Sequence, residues 1–242
     1  VSPHDLWIAA AAYVASILTL MTGFGLGTIL TPVTALFYDV KLAILIVAIV
    51  HILNNALKLW LFRAHVDRAI FRRFGALSIA GAVAGALLQS LLVSSVVTVI
   101  LGIVLVALGA GEFLPRGAAY RFPRSLDPVG GFASGLLGGL VGNQGAIRSA
   151  YLLNYDIPKE SFIATAAMIA LVIDATRIPI YLTAHRESFS QISWSILPVV
   201  LLAFLGTITG KKFLASLSGE HFKKAVAAAV VVMGLLFITG VL

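Results

Sequence analysis

Apolar residues run along this chain in blocks of about 20, separated by short polar joints, and each block is long enough to cross a hydrocarbon layer of about 30 Å as a helix. Six blocks read as uninterrupted spanning helices, at about 41–63, 70–92, 95–112, 159–183, 191–212 and 221–241. Two more, 5–37 and 128–155, are apolar but broken in the middle. The first break is Gly23-Phe24-Gly25-Leu26-Gly27, and the second is Gly138-Gly139-Leu140-Val141-Gly142-Asn143-Gln144-Gly145. Glycine at that density weakens a helix by about 1 kcal/mol per residue, and irregular backbone at membrane depth survives only where it is buried in protein or lines a wet cavity.

The order of the blocks repeats: broken segment, long helix, polar turn, helix, helix, and then the same again. Residues echo the order. Ala64-His65 and Asp67 return as Ala184-His185 and Glu187, Asn55-x-x-Lys58 as Asp174-x-x-Arg177, and Gly81-x-x-x-Gly85 as Gly206-x-x-x-Gly210, a spacing that lets membrane helices approach closely. The pattern predicts an all-α polytopic membrane protein of two homologous halves, each a glycine-broken segment plus three transmembrane helices. The first repeat covers 1–112, a basic cytoplasmic linker 113–127, and the second repeat 128–242.

Composition closes off the soluble classes. Of 242 residues, 60% are hydrophobic and 11% charged, and the mean hydropathy is +1.04, too apolar for a water-soluble enzyme of this length. The net charge of +7 would suit a nucleic-acid binder on a soluble domain, but 11 of the 17 Lys and Arg fall in three joints. These are Arg63, Arg68, Arg72 and Arg73; Arg116, Arg121 and Arg124; and Lys211, Lys212, Lys223 and Lys224, as expected of cytoplasmic loops. No nucleic-acid partner is expected; the partners are membrane lipid and a small anion, with a homo-oligomer left open. No Cys is present, which excludes disulfides and thiolate chemistry. The residues Val1-Ser2-Pro3-His4-Asp5 carry no basic n-region, so no cleavable signal peptide is expected.

Placing all three basic joints on one side requires an even number of crossings between them. The broken segments then enter and leave on the same side as re-entrant hairpins, each half makes three crossings, and the second half is inverted relative to the first. The alternative is broken segments that cross fully, giving parallel four-helix halves and a Lys-rich loop outside.

Two helix breaks meeting inside a membrane place unpaired N–H groups and positive dipole ends at one point, which suits an anion. Gly23, Gly25 and Gly27 let a substrate reach the backbone and Thr28 and Thr31 add hydroxyls, unless these glycines serve only helix packing. Asn143, Gln144 and Arg148 are the second half of such a site. Arg148 either offers its planar fork to a carboxylate- or sulfonate-like head or pairs with Asp174 to hold the hairpin. On the long helix His51, Asn54, Asn55 and Lys58 share one face, and Asp174 and Arg177 form the matching pair. Lys58 and Arg177 read as vestibule cations on opposite sides of the membrane, or as side chains snorkelling to the interface. His51 and Asp174 are candidates to carry a coupling proton, or structural hydrogen-bonding partners. Trp7, Trp60 and Trp194 read as interface anchors. No metal-ligand spacing, phosphate loop or nucleophile triad is recognisable, so neither catalytic residues nor cofactor nor metal is expected.

The first break with Thr28-Ile29-Leu30-Thr31-Pro32, the run Ile49-Val50-His51-Ile52-Leu53-Asn54-Asn55-Ala56-Leu57-Lys58, the run Gly142-Asn143-Gln144-Gly145-Ala146-Ile147-Arg148-Ser149, and Ala164-Thr165-Ala166-Ala167-Met168 resemble the sulfite exporter TauE/SafE family over nearly the whole chain. The resemblance implies a multi-pass transporter of the plasma (inner) membrane with two homologous halves. Such a protein exports a small sulfur-containing anion such as sulfite, sulfoacetate or a related organosulfonate. Relatives carry adjacent glycines at both breaks, and Phe24, Leu26, Asn143 and Gln144 depart from that run. An anion channel and a non-transport membrane assembly protein are the rival readings.

Overall fold

A computed structural model describes residues 3–22, 25–111, 113, 123–184, 196–213 and 220–241. Gly23, most of the 113–127 linker with Arg116 and Arg121, His185, Glu187 and Trp194 lie outside the described residues. The described residues form ten helices: α1 (Pro3–Thr22), α2 (Leu26–Ala35), α3 (Val40–Phe62), α4 (Arg68–Leu91), α5 (Ser94–Gly111), α6 (Asp127–Val141), α7 (Gly145–Leu152), α8 (Lys159–Ala184), α9 (Ile196–Phe213) and α10 (Glu220–Thr239). Five stretches among them are long and apolar enough to cross a membrane, within α1, α4, α5 and α8 and from α3 through His65.

Each start has a local cause. Asp39 caps α3 by accepting from the Lys41 N–H at 2.9 Å, and the Asp67 carboxylate accepts from the N–H groups of Ala69 and Ile70 at the head of α4. The first turns of α4 pass through a π-helical stretch at Phe71–Gly75, where Gly131 of α6 sits against the Phe74 carbonyl.

Large apolar side chains are exposed along the outside, and polar and charged groups are buried within an otherwise apolar interior. Ile103, Leu201 and Val232 are each more than half exposed, whereas Asn54, Asp174 and Arg177 are fully buried. Hydrocarbon is the solvent such a surface fits.

Both broken segments fold back on themselves. Gly25 lies against Leu18 and Thr19, and further along the rings of His4 and Phe37 meet at 4.6 Å, so α2 runs back beside α1. In the second segment Gly138 lies against Gln144, Gly130 against the Tyr151 ring, and the Tyr155 hydroxyl donates to Asp127, so α7 runs back beside α6. The two chain ends of each segment therefore lie at the same level.

Contacts between the first five helices and the last five follow one rule. The Gly81 and Gly85 stripe of α4 packs backbone-close on Phe132 and Leu136 of α6, and the Gly206 and Gly210 stripe of α9 packs on Tyr13 and Ile17 of α1. Each half thus lays its small-residue helix on the other half's first helix. The two middle helices, α3 and α8, run antiparallel: His51 meets Asp174, the Asp67 N–H donates to Thr165, and Val40 and Ile44 share a core with Tyr181. The last helices, α5 and α10, are antiparallel too, with Gly102 against Gly234 and Gly109 against Ala227.

Described basic residues of all three joints gather at one end of the bundle. The Lys211 ammonium stands 5.2 Å from the Phe62 ring centroid at the end of α3, and Arg124 covers the Tyr155 ring at the base of the α6–α7 hairpin. Arg73 joins them, its charge acting on Asp127 beside Arg124.

Candidate functional site

The tips of the two hairpins touch. Gly142 ends α6 in the left-handed region, φ 78°, where glycine is at no steric disadvantage, and a Cβ on Gly27 would stand 2.5 Å from the Gly142 carbonyl oxygen. Glycine at both positions lets two backbones meet directly. Around that contact is a cavity lined by Thr19, Gly25, Gly27, Thr28, His51, Gly142, Asn143, Gln144, Gly145 and Arg148. Its volume is about 10 Å3, room for a single water.

Carbonyl and amide ends are treated differently at the second break. Arg177 Nη1 donates to the Gly138 carbonyl at 2.8 Å, alongside the Gly142 N–H at 3.1 Å, and the Tyr181 hydroxyl donates to the Gly139 carbonyl, so both side chains serve carbonyls of the last turn of α6. At the heads of α2 and α7, by contrast, neither Gly25 nor Gln144 provides a side-chain cap. The N–H groups of both first turns border the cavity with the positive end of each helix dipole behind them.

Behind this lining is a second, closed layer. Asp174 Oδ1 accepts from Arg177 Nε at 2.9 Å and from Gln144 Nε2 at 3.2 Å, and Oδ2 lies within hydrogen-bond distance of His51 Nδ1, at 2.6 Å. Asn55 donates to the His51 carbonyl at 2.8 Å, and the Ser134 hydroxyl donates to the Gln144 carbonyl at 2.9 Å. Gln144 and Ser134 tie the second break into this layer.

Other buried polar groups, at the cavity or outside its lining, have no partner among the described residues. They include both side-chain atoms of Asn143, Gln144 Oε1, Thr31 Oγ1 and the ammonium of Lys58. Lys58 is 2% exposed and stands two turns along α3 from His51, near enough to Arg148 for their charges to act on each other. A buried ammonium without a counter-ion is costly, so the position is set up for an anion.

Of the residues singled out from sequence, the cavity brings together Gly25, Gly27, Thr28, His51, Asn143, Gln144 and Arg148. Thr31 faces Gly142 just behind it. Asn54 points elsewhere: it donates to Ser16 Oγ at 2.9 Å and accepts from Thr207 Oγ1 at 2.6 Å, joining α3 to α1 and α9. Arg177, expected in a wet vestibule or snorkelling to the interface, is 0% exposed and ion-paired with Asp174 at 2.8 Å. Lys58 is buried too, at 2% exposed. Sequence reasoning missed Thr19, Ser134 and Tyr181; Tyr181 lies one turn beyond Arg177 on the same helix face, and that spacing is the signal that finds it.

The family model described as Sulfite exporter TauE/SafE matches residues 8–237. No curated protein and no solved structure matches the chain.

Proposed function

Because the chain belongs to the sulfite exporter TauE/SafE family, a family of integral membrane exporters, we propose that it is a secondary transporter exporting a small sulfur-containing anion, such as sulfite, sulfoacetate or a related organosulfonate, across the plasma membrane. The substrate's anionic head binds at the meeting hairpin tips. The N–H groups of Leu26 to Thr28 and of Gly145 to Ile147 face it, Asn143 and Gln144 add amide donors, and Lys58 and Arg148 supply positive charge. The observation that carries this reading is that two uncapped half-helix heads share one buried cavity with the unpartnered Asn143 amide, while the Lys58 ammonium lies outside the lining but close enough to Arg148 for their charges to act on each other.

In this reading the two halves are an inverted repeat with re-entrant hairpins. Support comes from the antiparallel packing of α3 on α8 and of α5 on α10, and from hairpin ends that return to the level where they started. A two-fold axis relating antiparallel membrane-crossing helices lies in the membrane plane. A cavity that admits one water also favours alternating access over an anion channel, which needs a continuous wet path.

Thermal stability of the purified protein, measured against sulfite, sulfoacetate, sulfate, phosphate and acetate, tests the reading. A sulfur anion should raise the melting temperature and then show saturable counterflow in liposomes. Loss of a charge-assisted contact in Arg148→Ala, worth about 1.5 to 3 kcal/mol, should weaken binding tenfold or more, with poor rescue by Arg148→Lys because the planar fork is lost. Equal stabilisation by acetate and sulfite, or large passive currents, would sink the proposal.

A further inference from the structure

The buried face of α3 does not stop at Lys58. Phe62 follows at i+4 on the same face, His65 lies in the turn just beyond, and there the end of α3, the head of α8 and the tail of α9 enclose an open pocket of about 520 Å3. Lys159, Lys211, Lys212 and His65 line it, with Glu160 the one carboxylate among the described lining residues. The pocket lies at the basic end of the bundle, the end expected to face the cytoplasm.

The repeat makes this end comparable with the other. Aligning Gly206 and Gly210 with Gly81 and Gly85 sets Ala86 and Leu87 opposite Lys211 and Lys212, and aligning Asp174 and Arg177 with Asn55 and Lys58 sets Val40 opposite Lys159. Lys41, the counterpart of Glu160, follows Asp39 by two residues, so the charges of that described stretch offset one another. Deeper in, the same difference recurs. Lys58 has no counter-ion among the described residues, whereas Arg177, on the side of the break away from the basic end, is neutralised by Asp174.

We infer that the pocket at the ends of α3, α8 and α9 is a separate collecting site for a small oxyanion, which gathers substrate at the basic end and hands it past Phe62 to Lys58. This rests on the transport reading above and adds to it where capture occurs. Capture is one-sided because positive charge rises from the basic end to the cavity, and the route beyond the cavity starts from a cation that is already paired. A phosphate-bearing lipid headgroup shares the oxyanion chemistry, so lipid composition is varied in the test.

The experiment measures initial flux of sulfite and sulfoacetate in phosphatidylcholine liposomes of known protein orientation, with substrate on one side at a time. Ionic strength runs from 10 to 500 mM, over which the screening length falls from about 30 Å to well under 8 Å. Lys211→Gln/Lys212→Gln should slow flux from the basic side by about threefold or more at low salt, with the deficit vanishing at high salt and flux from the other side unchanged. Lys211→Arg/Lys212→Arg should behave as wild type. Glu160→Gln, which leaves every topology-determining cation in place, should speed low-salt flux from the basic side. Indifference of both Gln variants, or an equal loss from both sides at every salt concentration, overturns the proposal. So does a defect confined to vesicles containing phosphatidylglycerol, which assigns the pocket to lipid. A wild type that moves neither probe overturns the transport reading and this proposal together, whereas a transporting wild type with indifferent variants overturns this proposal alone.

Discussion

Lys58 and Arg177 occupy matching places on α3 and α8, yet their energetics are opposite. Arg177 shares a buried pair with Asp174 and holds the Gly138 carbonyl, so Arg177→Met strands a buried carboxylate and should destabilise the protein by about 3 to 5 kcal/mol. Lys58→Met removes a buried cation that has no partner among the described residues, so the melting temperature should hold or rise while anion-dependent stabilisation disappears. Thermal unfolding of both variants with and without sulfite checks this, and equal destabilisation by the two changes would show that Lys58 is held by the protein rather than reserved for a ligand. The sequence already contains the cause, for the residue three positions before each cation is Asn55 in one case and Asp174 in the other. What it could not disclose is the long-range part. His51 reaches Asp174 across 123 residues, and Asn54 turns away from its neighbours to Ser16 and Thr207, because contacts between helices depend on packing angles that periodicity within one helix does not encode.

At the scale of elements, spans were legible because hydrocarbon thickness fixes their length: the stretch read as 41–63 is Val40–Phe62, and that read as 95–112 is Ser94–Gly111. The breaks were legible too, since clustered glycines mark backbone that cannot be an ordinary helix. That the segments fold back was argued from loop charge alone, and the contacts that bear on it, His4 with Phe37 and Asp127 with Tyr155, join residues with no recognisable pairing signal. The small-residue stripes were visible, but not their partners. A Cβ on Gly206 would stand 2.3 Å from the Tyr13 carbonyl oxygen, and backbone cannot give way as a side-chain tip does. Gly206→Ala should therefore cost at least about 1 to 3 kcal/mol by overpacking and Gly206→Val more, whereas Gly111→Ala, with nothing within 4 Å, should leave the melting temperature unchanged. Unfolding of detergent-solubilised variants measures the difference. A neutral Gly206→Val would mean that α1 and α9 do not pack this closely.

For the whole molecule the decisive quantity is which ends of the helices share a side of the membrane. A parallel repeat and an inverted one contain the same helices, but the parallel plan sends the third basic joint to the opposite side from the first. The inversion proposed above would bring all three together, and a two-fold axis exchanging the halves would pair α4 with α6 as it pairs α9 with α1. The positive-inside bias then acts on every joint in the same sense instead of opposing itself. Since the chain has no cysteine, single cysteines report directly on accessibility. His65→Cys, Ser125→Cys and Lys212→Cys, at exposed positions of the basic end, should all react with a membrane-impermeant thiol reagent from one side, and His4→Cys and Asp39→Cys, exposed at the far end, only from the other. Spheroplasts and inside-out vesicles supply the two sides. Labelling of Lys212→Cys from the side opposite to His65→Cys would exclude the inverted plan. It would also separate the pocket between α3, α8 and α9 into residues on two faces of the membrane, which no folded bundle with those three helix ends in contact can accommodate.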